Sequence, residues 1–255
     1  GVAIKDRGAI LPAGHTANAA YWFHGKDEGV WITSTFYRKD LPQWVKDFND
    51  SDTVESYLKV WDTYQPIETY IESGSDLNDF ERGFNGKETA TFPYDLAALK
   101  DENGGFDVLK ATAYGNSLTV DFALAALEGE ALGRDNDTDV LTVSFSSTAY
   151  VGHNFGVNSK EVEDTYIRLD RDLERFFKYL DENVGEGEYT VFLTADHGAV
   201  DVPAYLESVK IPAGYLDYND RKERFQKFLV EKYGTVDIVE NVSNNQLFLN
   251  KAKLK

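Results

Sequence analysis

The sequence predicts an α/β fold, and three observations carry the prediction. From about Gly115 onward, helix-like periodicity alternates with short strand-like runs. One run, Tyr189 to Leu193, is nearly continuous in apolar residues, as expected of a strand covered on both faces. The chain of 255 residues is 42% hydrophobic and 14% aromatic, enough for a substantial buried core.

Val2-Ala3-Ile4 reads as the first strand. Lys5 and Arg7 follow it, and alternate residues of an extended segment share a face. Lysine acts as a point charge and arginine as a bidentate fork, so the pair suits a dianionic phosphoryl group. The same two residues are equally well read as the solvated basic end of a strand.

Residues 42–105 mix aromatic and acidic side chains without sustained period, as in Trp61-Asp62-Thr63-Tyr64, and are expected to form an inserted lid or cap within a single domain spanning 1–255. Asn116 or Ser117 can cap a helix running to about Leu127, with Leu118, Phe122 and Leu124 on its apolar side. A strand is expected over Asp139–Phe145, rich in β-branched residues, followed by a loop from Ser146 to His153. The strongest helix begins at Asn158-Ser159. Glu161 is placed to complete a capping box, and Val162, Tyr166, Leu169, Leu173, Phe176 and Leu180 form one apolar face. Gly185 and Gly187 mark the next turn, and the apolar run Tyr189–Leu193 then leads to Asp196. A helix from Asn219 to about Tyr233 with Gly234 at its C-terminal cap, and strands at Val236–Val239 and Gln246–Leu249, complete the chain.

Charge and composition narrow the chemistry. A formal charge of −18 argues against nucleic acid and anionic membrane as partners, although a bound divalent ion would outweigh distant carboxylates for a small anion. With no cysteine, a transition metal has to be held by carboxylates and by some of four histidines, His15, His24, His153 and His197. No apolar run approaches the roughly 20 residues of a membrane span, and no leader pattern precedes the first strand. A first residue of Gly and the absence of Met are read as marks of a fragment or an engineered piece.

Thr194-Ala195-Asp196-His197-Gly198 follows a predicted central strand, the place where open α/β sheets carry ligand sites. Adjacent Asp and His offer an oxygen and an imidazole nitrogen suited to zinc. The local alternative is that Asp196 caps the loop and His197 bonds its own backbone. The segment Ser146 to His153 occupies the matching place after the preceding strand, so His153 is expected at the same sheet edge.

The stretches Lys5–His15, Thr91–Asp95, Ser146–Gly156 and Thr194–Pro203 together resemble the alkaline phosphatase superfamily, and specifically its PafA-type members and the related type I phosphodiesterases. The resemblance implies a layered α/β/α core, partial in this chain, with an inserted cap. It also implies a periplasmic or secreted setting and a two-zinc site that hydrolyses phosphate monoesters through a phospho-threonine. By position, Asp196 and His197 correspond to ligands of the zinc that activates the nucleophile, and His153 to a ligand of the other. Lys5 and Arg7 correspond to the pair that grips the phosphoryl group.

Ala149 departs from the pattern, because the family carries an Asp ligand four residues before this histidine. The family's nucleophile, a further Asp ligand and a phosphate-contacting Asn align ahead of Gly1, and a final His ligand aligns beyond Lys255. The expectation is therefore a phosphatase-like chain with little or no turnover. The alternatives are a non-enzymatic scaffold or binding module and, within the superfamily, a phosphodiesterase. Loss of sheet strands also predicts an exposed edge through which copies associate.

Overall fold

A computed structural model describes residues 1–243 and 246–254, which form two compact units, Gly1–Val202 and Pro203–Lys255. In the first, β1 (Val2–Ala3) leads into α1 (Asp6–Ala13), followed by β2 (Tyr21–His24), β3 (Val30–Thr33) and α2 (Gln43–Asn49). Two short strands, β4 (Val60–Trp61) and β5 (Tyr94–Asp95), pair antiparallel, and α3 (Leu96–Leu99) follows β5 directly. Then come α4 (Ala113–Gly129), β6 (Val143–Ser144), α5 (Ser146–Phe155) and α6 (Lys160–Leu180).

The main sheet has the order β3-β2-β1-β6, with β1 parallel to both β2 and β6 and β3 antiparallel at one edge. Alternation along the strands separates its faces. Ala3 and Ala20 join Ala9 of α1 in a small cluster on one side. Val2, Ile4, Tyr21 and Phe23 join Leu118 and Phe122 of α4 in the large core on the other. The sheet is thus sandwiched between α1 and α4, the layered α/β/α arrangement expected. At the centre of the core, Phe122 stacks on Trp31 with ring centroids 4.0 Å apart, and Tyr21, Trp44 and Phe48 surround the pair. Residues 42–105 contribute Val45, Trp61, Phe84, Tyr94 and Leu96 to the same core.

Several elements differ from the sequence expectation, each for a physical reason. The strand expected over Asp139–Phe145 is reduced to Val143–Ser144. Ser146 to His153 is helix, not loop, because Ser147, Val151 and Phe155 recur every four residues and bury one face. That face approaches α4 closely: a Cβ on Gly115 would lie 2.0 Å from Ser147 Oγ. Lys5 and Arg7 do not alternate along a strand, since helix α1 starts at Asp6, whose carboxylate suits the positive end of the helix dipole. Ser159 caps α6 as expected, accepting from the Val162 N–H, but Glu161 does not complete a capping box, because its carboxylate is buried against Tyr94. The face of α6 that is most deeply buried carries Glu161, Asp164, Thr165 and Asp172, whereas Tyr166 of the expected apolar face is exposed.

The largest departure is Tyr189–Leu193, which forms no strand. Val191, Phe192 and Leu193 are 50%, 91% and 82% exposed. A strand is stable only when its backbone groups find partners, and among the described residues no strand lies beyond β6, the sheet's other edge.

The second unit holds α7 (Pro203–Ser208), α8 (Tyr218–Tyr233) and the antiparallel pair β7 (Val239–Ser243) and β8 (Gln246–Leu249). Asp217 caps α8, and Gly234 ends it in the left-handed conformation, φ 75°, that glycine alone adopts without cost. The strand expected at Val236–Val239 begins only at Val239. Among the described residues no helix is long and apolar enough to cross a membrane.

Candidate functional site

The carboxyl ends of β1 and β6 position the first group of candidate residues. The two strands are parallel neighbours, with Val2 opposite Val143 and Ala3 opposite Ser144. The chain therefore leaves both at the same end of the sheet, into Lys5 on one side and α5 on the other. Gly8 lets α1 settle there, because a Cβ at that position would come within 2.9 Å of Ser144 Oγ and 3.1 Å of Ser146 Oγ.

Lys5 is half-buried at the cap of α1, and its ammonium lies 5.5 Å from the ring centroid of Tyr150 in α5. Arg7 is exposed one helical position beyond Asp6, whose Oδ1 accepts the Arg7 backbone N–H at 2.6 Å. Burial raises the Tyr150 phenol above its ordinary range. The charges of Asp6 and Asp107 add to the effect, and Arg7 opposes it. Tyr150 carries no sequence signal beyond its place in the Ser146–Gly156 stretch.

His153 is in the last turn of α5 and exposed. Ala149 is one helical turn before it and also exposed, so both side chains stand on the same outward face. A carboxylate at position 149 would be i, i+4 to the imidazole, and a methyl group offers no ligand. Thr148 does not substitute for it, because its hydroxyl accepts the Asn116 amide at 3.0 Å.

Asp196 and His197 lie in the exposed segment. Their side chains are 89% and 69% exposed, with Nε2 and Oδ2 3.5 Å apart. Asp196 Oδ1 accepts the His197 backbone N–H at 3.1 Å, and His197 Nδ1 lies 2.8 Å from Gly198 O. These are the local bonds of a capped loop.

Among the described residues, no three His, Asp or Glu side chains are grouped so as to hold a metal ion. A catalytic zinc needs three protein ligands and an open position. Among the described residues, Asp196, His197 and His153 are not brought together as such a three-ligand set.

Comparison with known proteins places these features. The family described as type I phosphodiesterase / nucleotide pyrophosphatase matches residues 3–246. A protein of Myroides odoratus named calcium-transporting ATPase is 52% identical over 253 residues, 98% of this chain and 46% of its own length. Alkaline phosphatase PafA of Elizabethkingia meningoseptica is 45% identical over 256 residues, 100% of this chain and 46% of its own length. The crystal structure of wild-type alkaline phosphatase PafA superposes with a TM-score of 0.92 and 44% identity, covering 100% of this chain and 48% of that chain. The mixed α/β fold is thus that of about half of the PafA structure, and the chain spans a little under half the length of these relatives.

Proposed function

This chain belongs to the type I phosphodiesterase / nucleotide pyrophosphatase family and is similar to its alkaline phosphatases, and on that premise we propose that it carries the phosphoryl-gripping part of a phosphate-monoesterase site, with weak or no turnover of its own. The observation that carries this reading is the parallel pair β1 and β6, which delivers Lys5 and α5 to one end of the sheet. Ligands of open α/β sheets bind at such strand ends.

In this reading, which takes the pair from the family resemblance because Lys5 caps α1 and Arg7 lies inside it, the Lys5 ammonium and the Arg7 guanidinium hold the oxygens of a dianionic phosphoryl group, and the Tyr150 ring lies beside Lys5. Two cations favour a monoester over a diester, which offers one charge fewer. The local pair also offsets the repulsion that a net charge of −18 exerts on any anion. Asp196, His197 and His153 supply fewer donors than two zinc ions require, so the reading rests on the phosphate grip. A second reading, a binding module that reuses a phosphatase core, is favoured by Ala149, because that residue removes a ligand only the chemistry needs. Self-association through β6, which is an edge strand among the described residues, belongs to the same proposal.

The test has two arms. Titration with inorganic phosphate, followed by NMR, is expected to show binding that Lys5→Ala weakens roughly tenfold, the scale of one charge-assisted hydrogen bond. No binding, or binding indifferent to Lys5→Ala and Arg7→Ala, overturns the phosphate grip. Hydrolysis of p-nitrophenyl phosphate with added zinc is expected to stay far below that of an intact alkaline phosphatase, and a comparable rate would refute the impaired turnover.

A further inference from the structure

Away from this site, the two Asn-Gly pairs of the chain, Asn85-Gly86 and Asn103-Gly104, meet in a clasp. The Asn85 N–H donates to Asn103 Oδ1 at 3.0 Å, and Asn103 Nδ2 donates back to Asn85 O at 2.9 Å. The clasp fastens a turn at residues 84–87 to the short helical segment Asp101–Asn103. A second tie joins the preceding residues to α5: the Arg82 N–H donates to Asn154 O at 3.0 Å, and Asn154 Nδ2 donates to Gly83 O at 2.8 Å.

An asparagine amide followed by glycine is open to attack by the glycine nitrogen, because no side chain shields that nitrogen. How firmly the amide is held decides whether the attack takes place. Asn103 Nδ2 also donates to Leu99 O at 2.7 Å, so both protons and the oxygen of that amide are engaged. Asn85 is exposed, and among the described residues its side-chain amide makes one bond, from Nδ2 to Glu102 O at 3.2 Å. One amide is locked, and the other can turn.

The turn supplies the nucleophile. It is closed by the Lys87 N–H on Phe84 O at 3.3 Å and holds Gly86 at φ 84°, a conformation that glycine adopts without cost. A side chain would also stand too near Glu102, since a Cβ on Gly86 would lie 3.1 Å from its Oε2. Among the described residues the Gly86 N–H has no acceptor, so no hydrogen bond has to break before its proton is removed.

We propose that Asn85 is a site of spontaneous deamidation, and that its conversion unfastens the turn 84–87 from Asn103. Hydroxide takes the Gly86 proton, the nitrogen bonds to Asn85 Cγ, and the Cγ–Nδ2 bond breaks. Nδ2 takes a proton from water and leaves as ammonia. Water then opens the succinimide at one of its two carbonyls, giving aspartate or isoaspartate. In sum, one amide and one water become one carboxyl group and ammonia.

The two products act on the clasp differently. Aspartate replaces the donor to Glu102 O with a carboxylate, which faces an acceptor it cannot satisfy and a like charge on the same residue. Isoaspartate carries the main chain through Cβ and Cγ, which lengthens the turn and removes from the backbone the carbonyl that Asn103 holds. Both asparagines line a cavity of about 280 Å³ with Arg82 and Asn154, so the new charge also stands on that wall. The tie to α5 does not involve Asn85 and remains.

Peptide mapping by mass spectrometry, on the intact chain kept folded in mild alkali and in mild acid, tests the site. Asn85 is expected to convert at least about tenfold faster than Asn103, because one hydrogen bond restrains the first amide and three restrain the second. The reaction should be faster in alkali, and the two rates should converge in urea. Equal rates in the folded chain, or no conversion of Asn85 in alkali, overturns the proposal. Amide exchange of the converted chain tests the release. Protection at residue 85 is expected to fall at least about tenfold, with the Arg82 N–H unchanged. Unchanged exchange at residue 85, or an equal fall at Arg82, overturns it. Asn85→Gln, whose longer side chain closes a ring far more slowly, should keep its protection through the same ageing, and a loss there would overturn the release as well.

Discussion

The end of the sheet at β1 and β6 and the segment from Tyr189 to Gly198 carry the same kind of residue, yet they differ in what holds them. At β1, Val2 is 1% exposed and its N–H is bonded to Thr142 O at 2.8 Å, so the Lys5 that follows has a fixed origin. Phe192 is 91% exposed, and among the described residues the Asp196-His197 pair four residues on bonds only its own loop. Both segments are apolar runs ending in polar side chains. A motif thus states what chemistry is available, and the strand pairing beneath it decides whether that chemistry has a place.

The contrast is broken most severely from the core side. Phe122 is fully buried, stacked on Trp31 at 4.0 Å and edged by Tyr21 and Phe48. Phe122→Ala is expected to cost about 3–5 kcal/mol, the range for a large aromatic truncated in a close-packed interior. Urea unfolding with global analysis measures it. A loss under about 1 kcal/mol would mean that the aromatic cluster under the sheet is not what holds β1 and β6 in register.

A smaller effect sharpens the comparison at the helix that precedes the exposed segment. Ser159 accepts the Val162 N–H at 3.2 Å, one of the otherwise unpaired donors at the start of α6. Ser159→Ala is expected to lower stability by about 1 kcal/mol, with Ser159→Asn nearly neutral. If the alanine variant unfolds at the wild-type urea midpoint, the cap is not carrying the N-terminus of α6.

This cap belongs to the part of the molecule that was legible from sequence. Ser159, the periodic residues of α6, Gly234 beyond α8 and the strand Gln246–Leu249 are local features, and local rules read them. What was not legible depends on contacts distant in sequence. Ser146-Ser147-Thr148-Ala149 looks like a polar loop, and becomes helix because Ser147 packs against Gly115 of α4 and Val151 enters the core. Glu161 looks like a capping residue, and is buried because Tyr94, 67 positions away, supplies its donor. The candidate site divides the same way. The exit of the chain into Lys5 and into α5 at one sheet end follows from the predicted strands. The exposure of Asp196-His197 follows from a missing neighbour that periodicity alone does not reveal.

The smallest expected effect is the most discriminating. Truncating a side chain costs stability in proportion to the apolar area it had removed from water, about 25 cal/mol per Å². Phe192 at 91% exposure has removed almost none. Phe192→Ala and His197→Ala should therefore leave the urea midpoint within about 0.5 kcal/mol of wild type, although a phenylalanine and an active-site-like histidine would each normally be suspected of mattering. A cost above about 2 kcal/mol for Phe192→Ala would mean that the segment is packed in solution, and the two regions would then no longer differ in kind. A negligible cost carries a further meaning. An apolar run that loses nothing on truncation has most to gain from a strand partner, because pairing would satisfy its backbone and cover its side chains together.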